Sequence, residues 1–203
     1  MTQYARPNND DFNPEHGTDD GAGGTFDGWI TQGDGVADIY ESIDESSTDD
    51  NDFIKQEDGG GGTLSTYKAG LGNTVTDPVT ALSDHKVKFR AVGYDSTMGG
   101  TPTLTVALYD TTVSTSTPIV THDETELEDE SMMGFGTWAD FTISLNSTQA
   151  GNIASYNDLQ IWFKITSNGM GDYAKVSQAW FECADAEEEE EDTTSPAFLL
   201  FVD

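Results

Sequence analysis

The chain has 203 residues, of which 38 are acidic and 8 basic, for a formal net charge of −30. That balance excludes a nucleic-acid partner, because phosphate binding takes its affinity from clustered Lys and Arg, and only Lys86, Lys88 and Arg90 fall close together. The single cysteine, Cys183, excludes an internal disulfide and a cysteine-based metal cluster, and the longest apolar runs fall short of a membrane span of about eighteen residues, so no membrane insertion is expected.

So large an acid excess opposes compaction at low salt. At molar ionic strength the Debye length shrinks to about 3 Å, and like charges on neighbouring loops hardly interact. The charge therefore reads as adaptation to brine. The opening residues, "MTQYARPNNDD", carry no apolar stretch of signal-peptide type, so neither export by a cleavable signal nor a membrane anchor is expected.

In chain order, residues 1–24 are polar and dotted with Pro, Asn, Asp and Gly, and read as an arm. From Phe26 onward short apolar runs alternate with turn residues, as an all-β sandwich requires. Weaker strand candidates are Phe26 to Ile30, Val36 to Tyr40, Phe53 to Gln56, Thr63 to Lys68 and Ile119 to Glu126. Among them lies "YESIDESSTDDNDFIKQ", whose Asp44, Glu45, Asp49, Asp50 and Asp52 are candidate ligands of a structural calcium or magnesium ion. The stretch lacks the alternating ligands, sixth-position glycine and terminal glutamate of an EF-hand loop, so the candidacy rests on carboxylate density. Gly59 to Gly62 reads as a hinge, since no Lys-Ser/Thr pair follows it into a helix.

Strict period-two alternation marks the stronger strands. Val87, Phe89 and Ala91 face a core while Lys86, Lys88 and Arg90 face solvent or a partner. Leu104, Val106 and Leu108 repeat the pattern, as do Phe141, Ile143 and Leu145. In the segment Leu159 to Ile165, the residues Leu159, Ile161, Phe163 and Ile165 share one face and Gln160, Trp162 and Lys164 the other, which makes Trp162 a candidate ligand platform together with Trp138. Between these strands "NSTQAGNIASYND" predicts one short helix, capped by Ser147. The last strand, Lys175 to Cys183, places Val176 and Trp180 on one face and Ala179, Phe181 and Cys183 on the other, consistent with burial on both sides. Acidic residues 187–192 then form a solvated spacer, and Phe198, Leu199, Leu200, Phe201 and Val202 are candidate partner-binding residues, either docked on a neighbour or forming the last strand of the chain's own sheet.

The expected architecture is all-β: an antiparallel, jelly-roll-like β-sandwich of about eight to ten strands with one short helix. Its parts are a polar arm over 1–24, the sandwich over 25–185, and an acidic spacer with apolar tail over 186–203. His16, His85 and His122 are scattered, and neither G-x-S-x-G nor H-E-x-x-H occurs, so catalysis has no support and no cofactor is required.

Taken in order, Arg6-Pro7, Gly28-Trp29, "IYESIDE" at 39–45, "DDNDFI" at 49–54, "DHKVKFRA" at 84–91, "FTISLNSTQAGNIASYNDLQIWF" at 141–163 and "KVSQAWFE" at 175–182 form a layout that resembles β-sandwich virion structural proteins of tailed viruses. With the acid excess, the resemblance implies a virus of a halophilic archaeon. It also implies a non-enzymatic decoration or turret subunit on the virion surface, assembled in the host cytoplasm and attached through terminal segments. Its partners would be the major capsid protein or neighbouring virion proteins, with sister subunits in a trimer or pentamer. Two other functions fit the same fold, a tail or fibre component that contacts the host and a carbohydrate-binding module using exposed aromatic side chains.

Overall fold

The computed structural model describes residues 2–12, 29–32, 39–57, 66–72, 76–78, 82, 84–95, 102–129, 137–166 and 171–185. These form strands β1 (Thr2–Ala5), β2 (Pro7–Phe12), β3 (Ile30–Gln32), β4 (Phe53–Glu57), β5 (Thr66–Leu71), β6 (Lys86–Tyr94), β7 (Thr103–Asp110), β8 (Val120–Glu124) and β9 (Ala139–Ser144), then helix α1 (Ser147–Ala150), β10 (Leu159–Thr166) and β11 (Tyr173–Ala184). Two antiparallel sheets result. Sheet A runs β3-β4-β11-β6-β9, with β1 also on β11, and sheet B runs β2-β5-β10-β7-β8. The all-β sandwich is thus the observed fold, with eleven strands among the described residues.

Alternation explains which strands pair and how. Leu104, Val106 and Leu108 of β7 and Leu159, Ile161, Phe163 and Ile165 of β10 are all buried, and the register sets Ile161 beside Leu108 and Phe163 beside Val106. Slipping either strand by one residue would turn these side chains to water. Between the sheets, Trp29 packs on Tyr67 and Phe163 with ring centroids 6.2 Å apart in each case. Burying aromatic side chains of this size contributes roughly 1.5–3 kcal/mol each.

Three elements depart from the expectations. The polar arm is replaced over residues 2–12 by two strands: β1 pairs with β11, the chain passes Arg6, and β2 joins sheet B. Composition hides them because both are edge strands, and of their described side chains only Ala5 and Pro7 are buried. The apparent two-sided burial of β11 is resolved by an irregularity between Val176 and Gln178, which puts one extra residue in β11 against β6. Val176 opposite Ala91 then shares the core face with Ala179 and Phe181, while Trp180 opposite Lys88 points outward. The helix is a single turn capped by Asn146, not Ser147: the Asn146 side chain accepts from the Gln149 backbone and the Gln149 side chain accepts from the Asn146 backbone.

The stretch expected as a strand at 36–40 contains instead a 3-10 turn over Ile39–Ser42, and residues 33–38 lie outside the described residues. The segment after this turn fills a gap in sheet A. β4 covers Tyr173 to Val176 of β11 and β1 covers Phe181 to Ala184. Between them the Ala179 amide donates to the Ile43 carbonyl at 3.0 Å, and Gln178 Nε2 and Arg6 Nη1 both donate to the Glu45 carbonyl.

Candidate functional site

The outward face of sheet B follows from the same alternation. β5 contributes Thr66, Lys68 and Gly70, β10 contributes Gln160, Trp162 and Lys164, β7 contributes Thr105, Ala107 and Tyr109, and β8 contributes Thr121 and Asp123. Trp162 stands at the centre, opposite Lys68 on one side and Ala107 on the other. Its indole leans along the sheet onto Tyr109, stacked at 3.7 Å and 20°, while Lys68 Nζ lies 3.5 Å from the ring centroid. Since Tyr109 and Lys68 come from strands on opposite sides of β10, the indole is held between them and presents an edge. Burial holds the Lys68 ammonium below the usual lysine value and raises the Tyr109 phenol. Trp162 Nε1 donates to Gln160 Oε1 at 2.8 Å.

Ala107, on the neighbouring strand, stays buried at the base of this pair. A hollow of about 170 Å³ opens there, with Trp162 and Tyr109 as an aromatic wall, Ala107 beneath, and Thr66, Thr105, Thr121 and Lys164 around it. Thr105 Oγ1 donates to Asp123 Oδ1 at 2.7 Å. A second hollow of about 260 Å³ lies beyond Gln160, lined by Asn8, Asn9, Thr111, Asn157 and Asp158. The two hollows are separate and lie along β10 on either side of the Trp162–Tyr109 pair, between Leu159 and Lys164, about 17 Å of strand. The polar end is fixed by Asp110, which accepts hydrogen bonds from the Ala154, Ser155 and Thr112 amides at 2.7, 2.8 and 2.9 Å. Burial alone would raise the Asp110 pKa, but these bonds outweigh it and hold the carboxyl below the usual range.

The outward face of sheet A is built differently. Arg90 binds both oxygens of Asp50, at 2.7 and 2.9 Å, and reaches Asp140 at 3.1 Å. Lys86 and Lys88 converge on Glu182 at 3.5 and 3.0 Å. Lys55 and Lys175 lie over the rings of Tyr173 and Phe53. Trp138 belongs to this side, half-buried beside Phe53 at 5.9 Å, so the two tryptophans named as one platform sit on different sheets.

The five candidate metal ligands do not converge. Asp50 is committed to Arg90, and Asp49 Oδ1 accepts from the Asn51 amide and side chain. Glu45 Oε2 and Asp52 Oδ1 are buried without a hydrogen-bond partner. Burial first, then the nearby charges of Asp52, Asp44 and Asp49, push Glu45 up to about 7, while burial and Glu41 raise Asp44. Among the described residues no group of three or more His, Cys, Asp and Glu side chains is placed to hold a metal ion. The loop thus spends Asp50 on Arg90 and Asp49 on its own turn, and leaves an oxygen of Glu45 and of Asp52 unspent. Cys183 is buried, and burial with Asp185 and Asp77 pushes its thiol up to about 12, which removes it as a nucleophile at neutral pH. His85 is buried against Tyr156 at 2.6 Å, and His122 contacts Glu124 at 3.1 Å. The tail candidates Phe198 to Val202, with the rest of 186–203, lie outside the described residues, as do His16 and Gly59 to Gly62. No helix among the described residues is long and apolar enough to cross a membrane.

Of the groove residues, Trp162 was legible as an outward aromatic. Tyr109, Ala107 and Thr105 were not singled out, although they occupy the alternate positions of a strand whose inward set was clear.

No protein-family model matches the chain, and no curated protein sequence matches it. Several solved structures share its general form. The xylan-binding module CBM15 is 11% identical over 80% of this chain and 94% of its own, with a TM-score of 0.45. SGBP-B from a xyloglucan utilization locus in Bacteroides uniformis is 11% identical over 75% of this chain and 44% of its own, with a TM-score of 0.44. The adhesin domain of Lys-gingipain from Porphyromonas gingivalis is 16% identical over 78% of this chain and 91% of its own, with a TM-score of 0.38. Likeness at this level carries nothing about ligand or partner, which must come from the groove.

Proposed function

We propose that this chain is a non-catalytic carbohydrate-binding module that holds a glycan along the outward face of sheet B. The observation that carries the reading is the recess at Ala107, where an aromatic wall of Trp162 and Tyr109 stands beside a ring of threonine hydroxyls. Sugars offer an apolar face of C–H groups and a rim of hydroxyls, so a site that recognises them combines aromatic surface with a few fixed polar groups. The polar hollow beyond Gln160 extends the same track with amide side chains that both donate and accept. Two hollows spaced along one strand suit a chain of several sugars better than a single one. A virion tail or fibre component that contacts a glycosylated host would use the groove in the same way.

Titration calorimetry of the full chain with a panel of soluble oligosaccharides tests the reading. Binding is expected for at least one glycan, with loss of ten-fold or more in affinity on Trp162→Ala and none on Trp138→Ala, since Trp138 lies on the other sheet. No heat with any glycan at millimolar concentration, or equal loss from both tryptophan variants, would reject it.

A further inference from the structure

Thr66 and Thr121 stand out in the groove as side chains whose polar atoms are uncommitted, and Lys164 with them. Six of the chain's eight basic residues are engaged on the sheet A side. Lys86 and Lys88 meet Glu182, Arg90 meets Asp50 and Asp140, Lys55 and Lys175 lie on aromatic rings, and Arg6 binds the Glu45 carbonyl beside Trp180. The other two, Lys68 and Lys164, are both on the outward face of sheet B. Lys68 lies on Trp162, whereas Lys164 is exposed and makes no ion pair or hydrogen bond among the described residues. In a chain with 38 acidic residues, an ammonium left without a carboxylate needs a reason.

Its neighbours supply one. Lys164 stands directly between Thr66 on β5 and Thr105 on β7. The Thr66 and Thr121 hydroxyls likewise have no partner among the described residues, and Asp123 is the one carboxylate placed on this face by β5, β7, β8 and β10. Among the described side chains that β5, β7, β8 and β10 turn outward, Lys68 and Lys164 stand with one carboxylate, and that carboxylate already accepts from Thr105. The uncommitted groups are an ammonium, which can only donate, and hydroxyls, which donate or accept. A ligand that brings acceptors and a negative charge would satisfy all of them.

We propose, building on the groove reading above, that the glycan held here is acidic, a uronate-containing polysaccharide whose carboxylate is bound by Lys164 with the Thr66 hydroxyl while a sugar ring sits over Ala107. The overall negative charge does not prevent this. Beyond about 8 Å at physiological ionic strength the rest of the chain is screened, whereas an ammonium in contact with a carboxylate is not.

The experiment compares matched oligosaccharides. Oligogalacturonate, oligomannuronate and oligoglucuronate are titrated calorimetrically into the full chain beside the same oligomers with their carboxyls reduced to alcohols. One acidic oligomer is expected to bind at least ten-fold tighter than its reduced form, and more weakly as NaCl is raised. Lys164→Gln, at an exposed position, should bring the acidic oligomer down to the affinity that the same variant shows for the reduced one. Asp123→Asn should tighten the acidic oligomer alone. Equal affinity for the two forms, or an acidic preference that survives Lys164→Gln, overturns the proposal while leaving a neutral-sugar groove in place. Binding of neither form, together with silence across the neutral panel, overturns the groove reading itself.

Discussion

The outward faces of the two sheets share a strand architecture but not a use. On sheet A, charge meets countercharge within the chain: Arg90 joins Asp50 from the acidic loop to Asp140 of β9, and Glu182 lies between two lysines. On sheet B the chain leaves a recess, with an aromatic stack beside it and a lysine without a carboxylate. The contrast teaches that an exposed cation in so acidic a chain is informative only after its partners are known. Lys88 and Lys164 look alike in the sequence, each alternating with apolar neighbours, yet one closes an internal ion pair and the other faces a hollow.

The largest expected effect lies on the occupied face. Arg90→Ala would leave Asp50 and Asp140 close together without their shared cation, and should cost about 2–3 kcal/mol in urea denaturation. Lys164→Ala measured alongside it should change the midpoint hardly at all. Equal losses from the two variants would erase the distinction between the faces.

Next comes the polar end of the groove. Asp110→Asn removes the charge from a buried acceptor of several hydrogen bonds and should cost about 2 kcal/mol at pH 7. Because the folded carboxyl titrates below its unfolded value near 3.8, the stability it contributes is present above that pH and is lost as the pH falls through the folded value. The gap in melting temperature between wild type and variant should therefore close on acidification below about pH 4. A gap that stays constant would mean that shape, not charge, is what Asp110 provides.

Filling the recess is the sharper test of the open face. Ala107→Phe adds a ring where the hollow stands, and should abolish glycan binding while costing about 1 kcal/mol of stability, because the buried Ala107 lies against the Trp162–Tyr109 stack. Glycan binding by this variant at wild-type affinity would move the site elsewhere.

How much of this was legible depends on where each residue gets its information. The inward sets of β6, β7 and β10 were plain, because burial on one face imposes period two on a single strand. The β11 irregularity was not: the extra residue shows itself only against the β6 register, and an isolated strand gives Val176 the wrong face. β1 and β2 were missed because their pairing comes from β11 and β5, not from apolar content of their own. The groove was half legible. Trp162 could be placed outward from its own strand, but its ring is flanked by Tyr109 and Lys68, whose proximity is a fact of register between three strands. The acidic loop was only partly legible for a related reason, since nothing within residues 40–56 says that Asp50 will meet Arg90.

That loop also yields the smallest expected effect. Glu45 has one buried oxygen without a partner, near Asp44, Asp49 and Asp52, and burial ahead of those charges lifts its folded pKa from 4.5 to about 7. Between these values the folded chain keeps a proton that the unfolded chain has released, so stability falls as the pH rises across the window. Glu45→Gln imitates the protonated form. It should leave the melting temperature unchanged near pH 4.5 and raise it at pH 8, by an amount worth less than about 1 kcal/mol once solvent screening of a partly exposed side chain is allowed for. Calcium or magnesium at millimolar concentration supplies the decisive control. If either ion raises the wild-type melting temperature at pH 8 and not that of Glu45→Gln, the unpartnered oxygens are completed by a cation and the loop resembles the open face in waiting for a ligand. If neither ion acts, the strain belongs to the carboxylates alone, and the loop remains what sheet A makes of it, a brace that closes the gap between β4 and β1.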